Sequence, residues 1–124
     1  MKAILMVAAG SALGGVARYS LQLLVFRLYP SPFPLGTFLV NLTGCFLIGL
    51  FFSLAERSGT ISQETKLFLI TGFCGGYTTF STFSVDGLSL FRSGKMLYFV
   101  LYTAGSVIVG LLMTWLGMQV IKPA

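Results

Sequence analysis

The side chains in this sequence that could do chemistry are almost all neutral hydrogen-bond donors set within apolar runs: Thr37, Asn41, Thr43, Thr71, Thr78, Thr79, Ser81, Thr82, Ser84, Thr103 and Ser106. Such groups can solvate an ion without carrying charge themselves. Histidine is absent, and the carboxylates are three, Glu56, Glu64 and Asp86. Metal-assisted hydrolysis and triad chemistry need ligands and bases that this inventory lacks, so an enzyme is not expected.

The hydroxyls are densest in the run Thr78-Thr79-Phe80-Ser81-Thr82-Phe83-Ser84, which follows Gly75-Gly76 inside an apolar stretch. The glycine pair predicts a break in a spanning helix. Non-helical backbone at membrane depth persists only where protein or a cavity surrounds it, because lipid cannot bond freed amides and carbonyls. The carboxyl end of the first half-helix and its unwound carbonyls suit a cation, and the amino end of the second suits an anion. The alternative is a glycine kink healed by nearby hydroxyls. Phe80 and Phe83, three apart, share a face beside Thr79 and Thr82. Their positive ring edges can line a path for a small anion, or the rings can simply fill space. Asn41 can give two amide hydrogens to an anion or bond across to another helix. Arg18 and Asp86 are charges placed within spans, each costly there unless paired or facing water. Asp86 could pair with Arg18, line a polar track or hold a helix contact, and Arg18 could instead reach an interface.

The elements that carry these groups are membrane helices. With 56% hydrophobic and 9% charged residues, 124 residues are too apolar to surface a soluble domain. Hydrophobic spans run over about 3–26, 35–54, 64–91 and 96–120. They are separated by Pro30, Pro32 and Pro34, by Glu56-Arg57-Ser58-Gly59, and by Arg92-Ser93-Gly94-Lys95, with Lys122 and Pro123 closing the last. The reading is one all-α domain, 1–124, of four transmembrane helices with the third broken at mid-membrane. The charged start at Lys2 followed by apolar residues resembles a signal peptide, but the apolar run continues far enough to span. Small residues four apart, Gly10 and Gly14, Cys45 and Gly49, Gly72 and Gly76, Ser106 and Gly110, let backbones approach. Cys45 and Cys74 lie inside apolar runs and read as free thiols.

The net charge of +5 comes from scattered residues without a basic cluster, so no nucleic-acid partner is expected. With a cytoplasmic amino terminus, Lys2, Arg57, Lys66 and Lys122 lie on one side and Arg27, Arg92 and Lys95 on the other. That near tie is a weak orientation signal. It predicts insertion both ways up and hence an antiparallel homodimer; a single orientation set by other features is the alternative.

The sequence resembles the Fluc (CrcB) fluoride channels of bacteria along essentially its whole length. The resemblance rests on Gly14-x-x-x-Arg18, on Gly36-Thr37-x-x-x-Asn41-x-x-Gly44, and on the run from Thr71-Gly72-Phe73-Cys74-Gly75-Gly76-Tyr77 through Ser84. It implies a dual-topology antiparallel homodimer in the bacterial inner membrane with two fluoride pores. It implies a structural sodium ion held by the main-chain carbonyls of Gly75 and Thr78. Pore roles are implied for Phe80, Phe83 and Asn41, and a polar track for Thr37, Ser106, Asp86 and Tyr102; Asp86 stands where many relatives have glutamate, and Gly110 where some have serine. The implied activity is passive export: fluoride enters as the neutral acid, ionises in the cytoplasm and leaks out through the channel. A rival class, the small dual-topology multidrug or cation exporter, relies on a first-helix carboxylate, where this chain has Arg18. A membrane adaptor would need neither the broken helix nor the hydroxyl run.

Overall fold

The computed structural model describes residues 1–57, 59 and 61–121. The expectations placed on Ser58, Lys122 and Pro123 lie outside the described residues. The described chain is helical: α1 (Lys2–Leu28), α2 (Leu35–Glu56), α3 (Gln63–Lys66), a π-helical stretch (Leu67–Cys74), α4 (Gly75–Tyr77), α5 (Phe80–Arg92) and α6 (Met96–Val120). The helices α1, α2 and α6 are each long and apolar enough to cross a membrane. Side chains such as Leu13, Val16, Leu111 and Trp115 stand exposed on their outer faces. A helix that is apolar on every side belongs in lipid. Cys45 and Cys74 are free thiols, as expected.

Local chemistry sets the boundaries. Tyr29 and the prolines that follow end α1, and Pro34 caps α2. Gly94, at φ 76°, closes α5: its own N–H bonds the Phe91 carbonyl at 3.1 Å and the next N–H, of Lys95, bonds Leu90 at 3.0 Å. Both bonds need the left-handed turn that glycine adopts without a Cβ penalty.

Two pairs of parallel helices make the bundle. Along α1, Gly10 faces Phe68 and Gly72, and Gly14 faces Phe73 and Tyr77. Along α2, Phe38 meets Gly105, Cys45 meets Gly110, and Gly49 meets Thr114 of α6. α5 turns back antiparallel on α6, with Gly87 against Thr103 and Phe91 against Phe99. Three of the four expected small-residue pairs therefore contact a neighbouring helix at both positions. In the fourth, Gly110 meets Cys45. Gly117, not among those pairs, abuts Phe46.

The break does not fall where the glycine pair predicted. Gly75 is right-handed helical at φ −63° and ψ −37°, and the backbone leaves the helix at Thr78 (φ −86°, ψ 159°) and Thr79 (φ −149°, ψ 118°). Gly76 serves proximity rather than flexibility: a Cβ there would lie 2.6 Å from the Ser11 carbonyl oxygen of α1. Gly76→Val should therefore push α1 from α4 and cost about 1–3 kcal/mol. A fall in the thermal midpoint of the purified protein in detergent, larger than for Gly75→Val at a position with open space around it, is the expected result.

Candidate functional site

The site grows from Asn41, one turn along α2 from Thr37. Its side-chain amide clamps the extended backbone of Thr79: Nδ2 donates to the Thr79 carbonyl at 3.0 Å, and Oδ1 accepts from the Thr79 N–H at 2.8 Å. In a continued helix that N–H would serve the Gly75 carbonyl, four residues back. The Gly75 carbonyl is thus left without its helical partner. The same occurs one turn on. The Thr79 hydroxyl caps α5 by accepting from the Thr82 N–H at 3.1 Å, so Thr82 does not serve the Thr78 carbonyl.

Neighbouring carbonyls are occupied. Cys74 accepts both the N–H of Thr78 at 3.0 Å and its hydroxyl at 2.9 Å. Gly76 accepts from Arg18 Nε at 3.1 Å. Arg18 is therefore a cap on the end of α4, opposing the negative pole of the helix there. Hard oxygen donors without partners, next to occupied ones, are a donor set of the kind a hard cation takes. Gly44 makes room for this backbone, since a Cβ on it would strike the Thr78 methyl group.

A cavity of about 410 Å³ opens beside the break, lined by Asn41, Gly75, Thr78, Thr79, Phe80, Phe83, Ser106 and both cysteines among others. Ser106, one of the lining residues, has a buried Oγ without a hydrogen-bond partner. Phe80 and Phe83 lie with centroids 5.6 Å apart, and Phe80 is 79% exposed, projecting from the bundle.

A second chamber of about 230 Å³ gathers Gln22, Thr37, Thr82 and Asp86 with Ser31 and Phe33. Tyr102, fully buried, stands between the two. Its ring packs on Phe83 at 5.2 Å and its hydroxyl points to Asp86 Oδ2 at 3.5 Å. Asp86 also opens on a third hollow with Ser89, Ser93 and Lys95. The expected residues therefore fall into two connected groups. Asn41, Thr79, Phe80, Phe83 and Ser106 surround the first cavity, while Thr37, Thr82 and Asp86 surround the second. Arg18 and Ser81 line neither; Ser81 only meets the Thr79 hydroxyl at 3.3 Å. Asn41 bonds across to another element, and a single amide hydrogen is left for anything else. Gln22 escaped the sequence reading; its only signal was a lone amide in the apolar first helix.

Residues 5–118 match the family model described as CrcB-like protein, Camphor Resistance (CrcB). The fluoride-specific ion channel FluC of Flavobacterium psychrophilum is 45% identical over 122 residues, covering 98% of each chain. The fluoride-specific ion channel FluC of Chlorobium luteolum is 47% identical over 120 residues, 97% of this chain and 92% of that one.

The Asn41 clamp has a measurable worth. Asn41→Leu keeps the branching at Cγ but strands the Thr79 N–H and carbonyl, and should destabilise the protein by about 2–3 kcal/mol. Chemical or thermal unfolding in detergent checks this, with Thr103→Val, whose hydroxyl bonds only its own helix at Phe99, as the milder control.

Proposed function

The chain belongs to the CrcB-like family, whose members are passive channels rather than enzymes, and we propose that it is a fluoride-selective ion channel that lets fluoride leave the cytoplasm down its gradient. It is a multi-pass membrane protein; the reading places it in a bacterial inner membrane. The kinship to fluoride-specific channels over nearly the whole chain carries the reading. The geometry adds a reason why such a path would take a small anion: Ser106, whose buried hydroxyl has no partner, lines the same cavity as the phenylalanine rings.

In this reading, 63–92 is a fourth crossing. The segment 63–77 at about 1.5 Å per residue spans about 22 Å and α5 about 20 Å, together more than the roughly 30 Å of hydrocarbon. The break at Thr78-Thr79 then lies within the membrane. Two copies pack antiparallel with two pores, and the exposed ring of Phe80 reaches the second copy. The near tie of flanking charges supports insertion both ways up.

A structural sodium ion fits the donors present: the Gly75 and Thr78 carbonyls would hold it. When bound it supplies positive charge that stabilises unpaired carbonyl dipoles at the break. Fluoride passing the site would exchange its water for Ser106, the remaining Asn41 hydrogen, and the ring edges of Phe80 and Phe83. The exporter reading finds no support in the relatives, and α1 presents Arg18 bound to a carbonyl in place of an acid.

The test is anion efflux from proteoliposomes loaded with potassium fluoride or potassium chloride, started with valinomycin. Fluoride without chloride should emerge, and Phe80→Ile and Asn41→Asp should each slow it about tenfold or more, about 1.4 kcal/mol of barrier. Chloride efflux at a similar rate would overturn the selectivity, and undiminished efflux in both variants the site. Removing sodium should lower both the thermal midpoint and the fluoride flux, and potassium should not replace it.

A further inference from the structure

At the second chamber a hydrogen bond from α1 fixes which side of the Thr37 hydroxyl is free. Gln22 Nε2 donates to Thr37 Oγ1 at 3.1 Å, and Thr37 is buried. A hydroxyl has one proton to give, and here it is not lost to the helix. Thr43, Thr78, Thr103 and Thr114 each give theirs to the carbonyl four residues back, at 2.8, 2.9, 2.7 and 3.1 Å. Thr37 sits in the first turn of α2, where the residue four back, Phe33, lies outside the helix. That outlet is closed, and Gln22 takes up the hydroxyl's acceptor side. Thr37 lines the same chamber as Asp86, so the acceptor that chamber offers is the Asp86 carboxylate, which already takes the Tyr102 hydroxyl at 3.5 Å. The approach of α1 that makes this possible runs over Gly36, where a Cβ would sit 3.2 Å from the Gln22 Cα.

We propose that Gln22 is a positioning residue for conduction: by donating to Thr37 it turns the Thr37 hydroxyl proton into the Asp86 chamber, where it can be given to a passing fluoride. This rests on the fluoride-channel reading. Reversing the polarity at position 22 reverses that bond. A carboxylate there accepts from Thr37, draws the proton towards α1 and leaves only the hydroxyl's lone pairs facing the anion.

The experiment is a double-mutant cycle read as initial fluoride efflux from proteoliposomes. Gln22→Glu, nearly equal in size, should slow efflux about fivefold or more, and Gln22→Met, which removes the donor without adding charge, by a smaller factor. In a Thr37→Val background, with no hydroxyl to orient, both changes at position 22 should alter efflux less than about twofold. Thermal midpoints of all variants in detergent report folding separately, and Gln22→Met carries the cycle if Gln22→Glu does not fold. Wild-type rates in Gln22→Glu and Gln22→Met, or equal losses with and without the Thr37 hydroxyl, overturn the proposal while fluoride selectivity of the wild type stands. A wild type that carries no fluoride overturns the channel reading, and this inference with it.

Discussion

The arrangement of the site depends on one pair of hydrogen bonds, between the Asn41 amide and the Thr79 backbone. A primary amide carries a donor and an acceptor side by side, so it can imitate a neighbouring peptide and hold extended backbone where no strand is present. Once Thr79 is bonded sideways, its N–H cannot reach back to Gly75, and the helix must stop. A carbonyl is thereby freed and α5 gains an amino terminus at the same point. Thr79 reinforces the break by capping α5 with its own hydroxyl. Without water to satisfy the loose groups, such a break would be prohibitive in lipid; here each group either has a side-chain partner or faces the cavity.

That clamp works because the bundle brings backbones unusually close. α1 approaches the π-helical stretch and α4 across Gly10, Gly14 and Gly76, and α2 approaches Thr78 across Gly44. The π-helical turn, a wider coil closed by i→i+5 bonds, is a rarer way to wind a chain than the α-helix, and it occurs mostly beside functional positions. Its carbonyls are also answered from α1: Ser11 Oγ reaches the Gly72 carbonyl at 3.4 Å. Close packing and polar satisfaction are one design, since only small residues let short side chains such as serine reach a neighbouring main chain.

Much of this was legible in the sequence, and the misses have physical causes. The long spans follow from unbroken apolar runs bounded by prolines and charges, and α1, α2 and α6 exceed the expected limits by at most two residues at any end. The residues around the cavity were found because hydroxyls and an amide are conspicuous in an apolar chain. The glycine pair points to a break three residues before Thr78-Thr79 because glycine has two uses, conformational freedom and proximity, and a sequence does not say which one applies. The answer depended on Ser11, which is 65 positions from Gly76. Arg18 was open between pore, ion pair and interface for a similar reason: its partner is a main-chain carbonyl, which no pattern of side chains reveals. Gln22 was passed over because an isolated glutamine has meaning only through what it touches.

The polar groups show how a path can favour an anion while carrying little formal positive charge. A fixed cation in a low-dielectric wall would bind any small anion strongly and hold it, since the attraction at about 4 Å grows several-fold as the dielectric falls from that of water. Neutral donors act differently. A hydroxyl or a ring edge offers a short-range, directional interaction, which a small ion approaches more closely than a large one can. Arg18, the cation that sits within α1, is turned onto the end of α4 and away from the cavity. The carboxylate of Asp86 is met by the Tyr102 hydroxyl rather than by that guanidinium. Asp86 lines the second chamber, but among the described residues no charged side chain lines the first cavity; the surface there is one of dipoles, strong enough to replace water and weak enough to release what they hold.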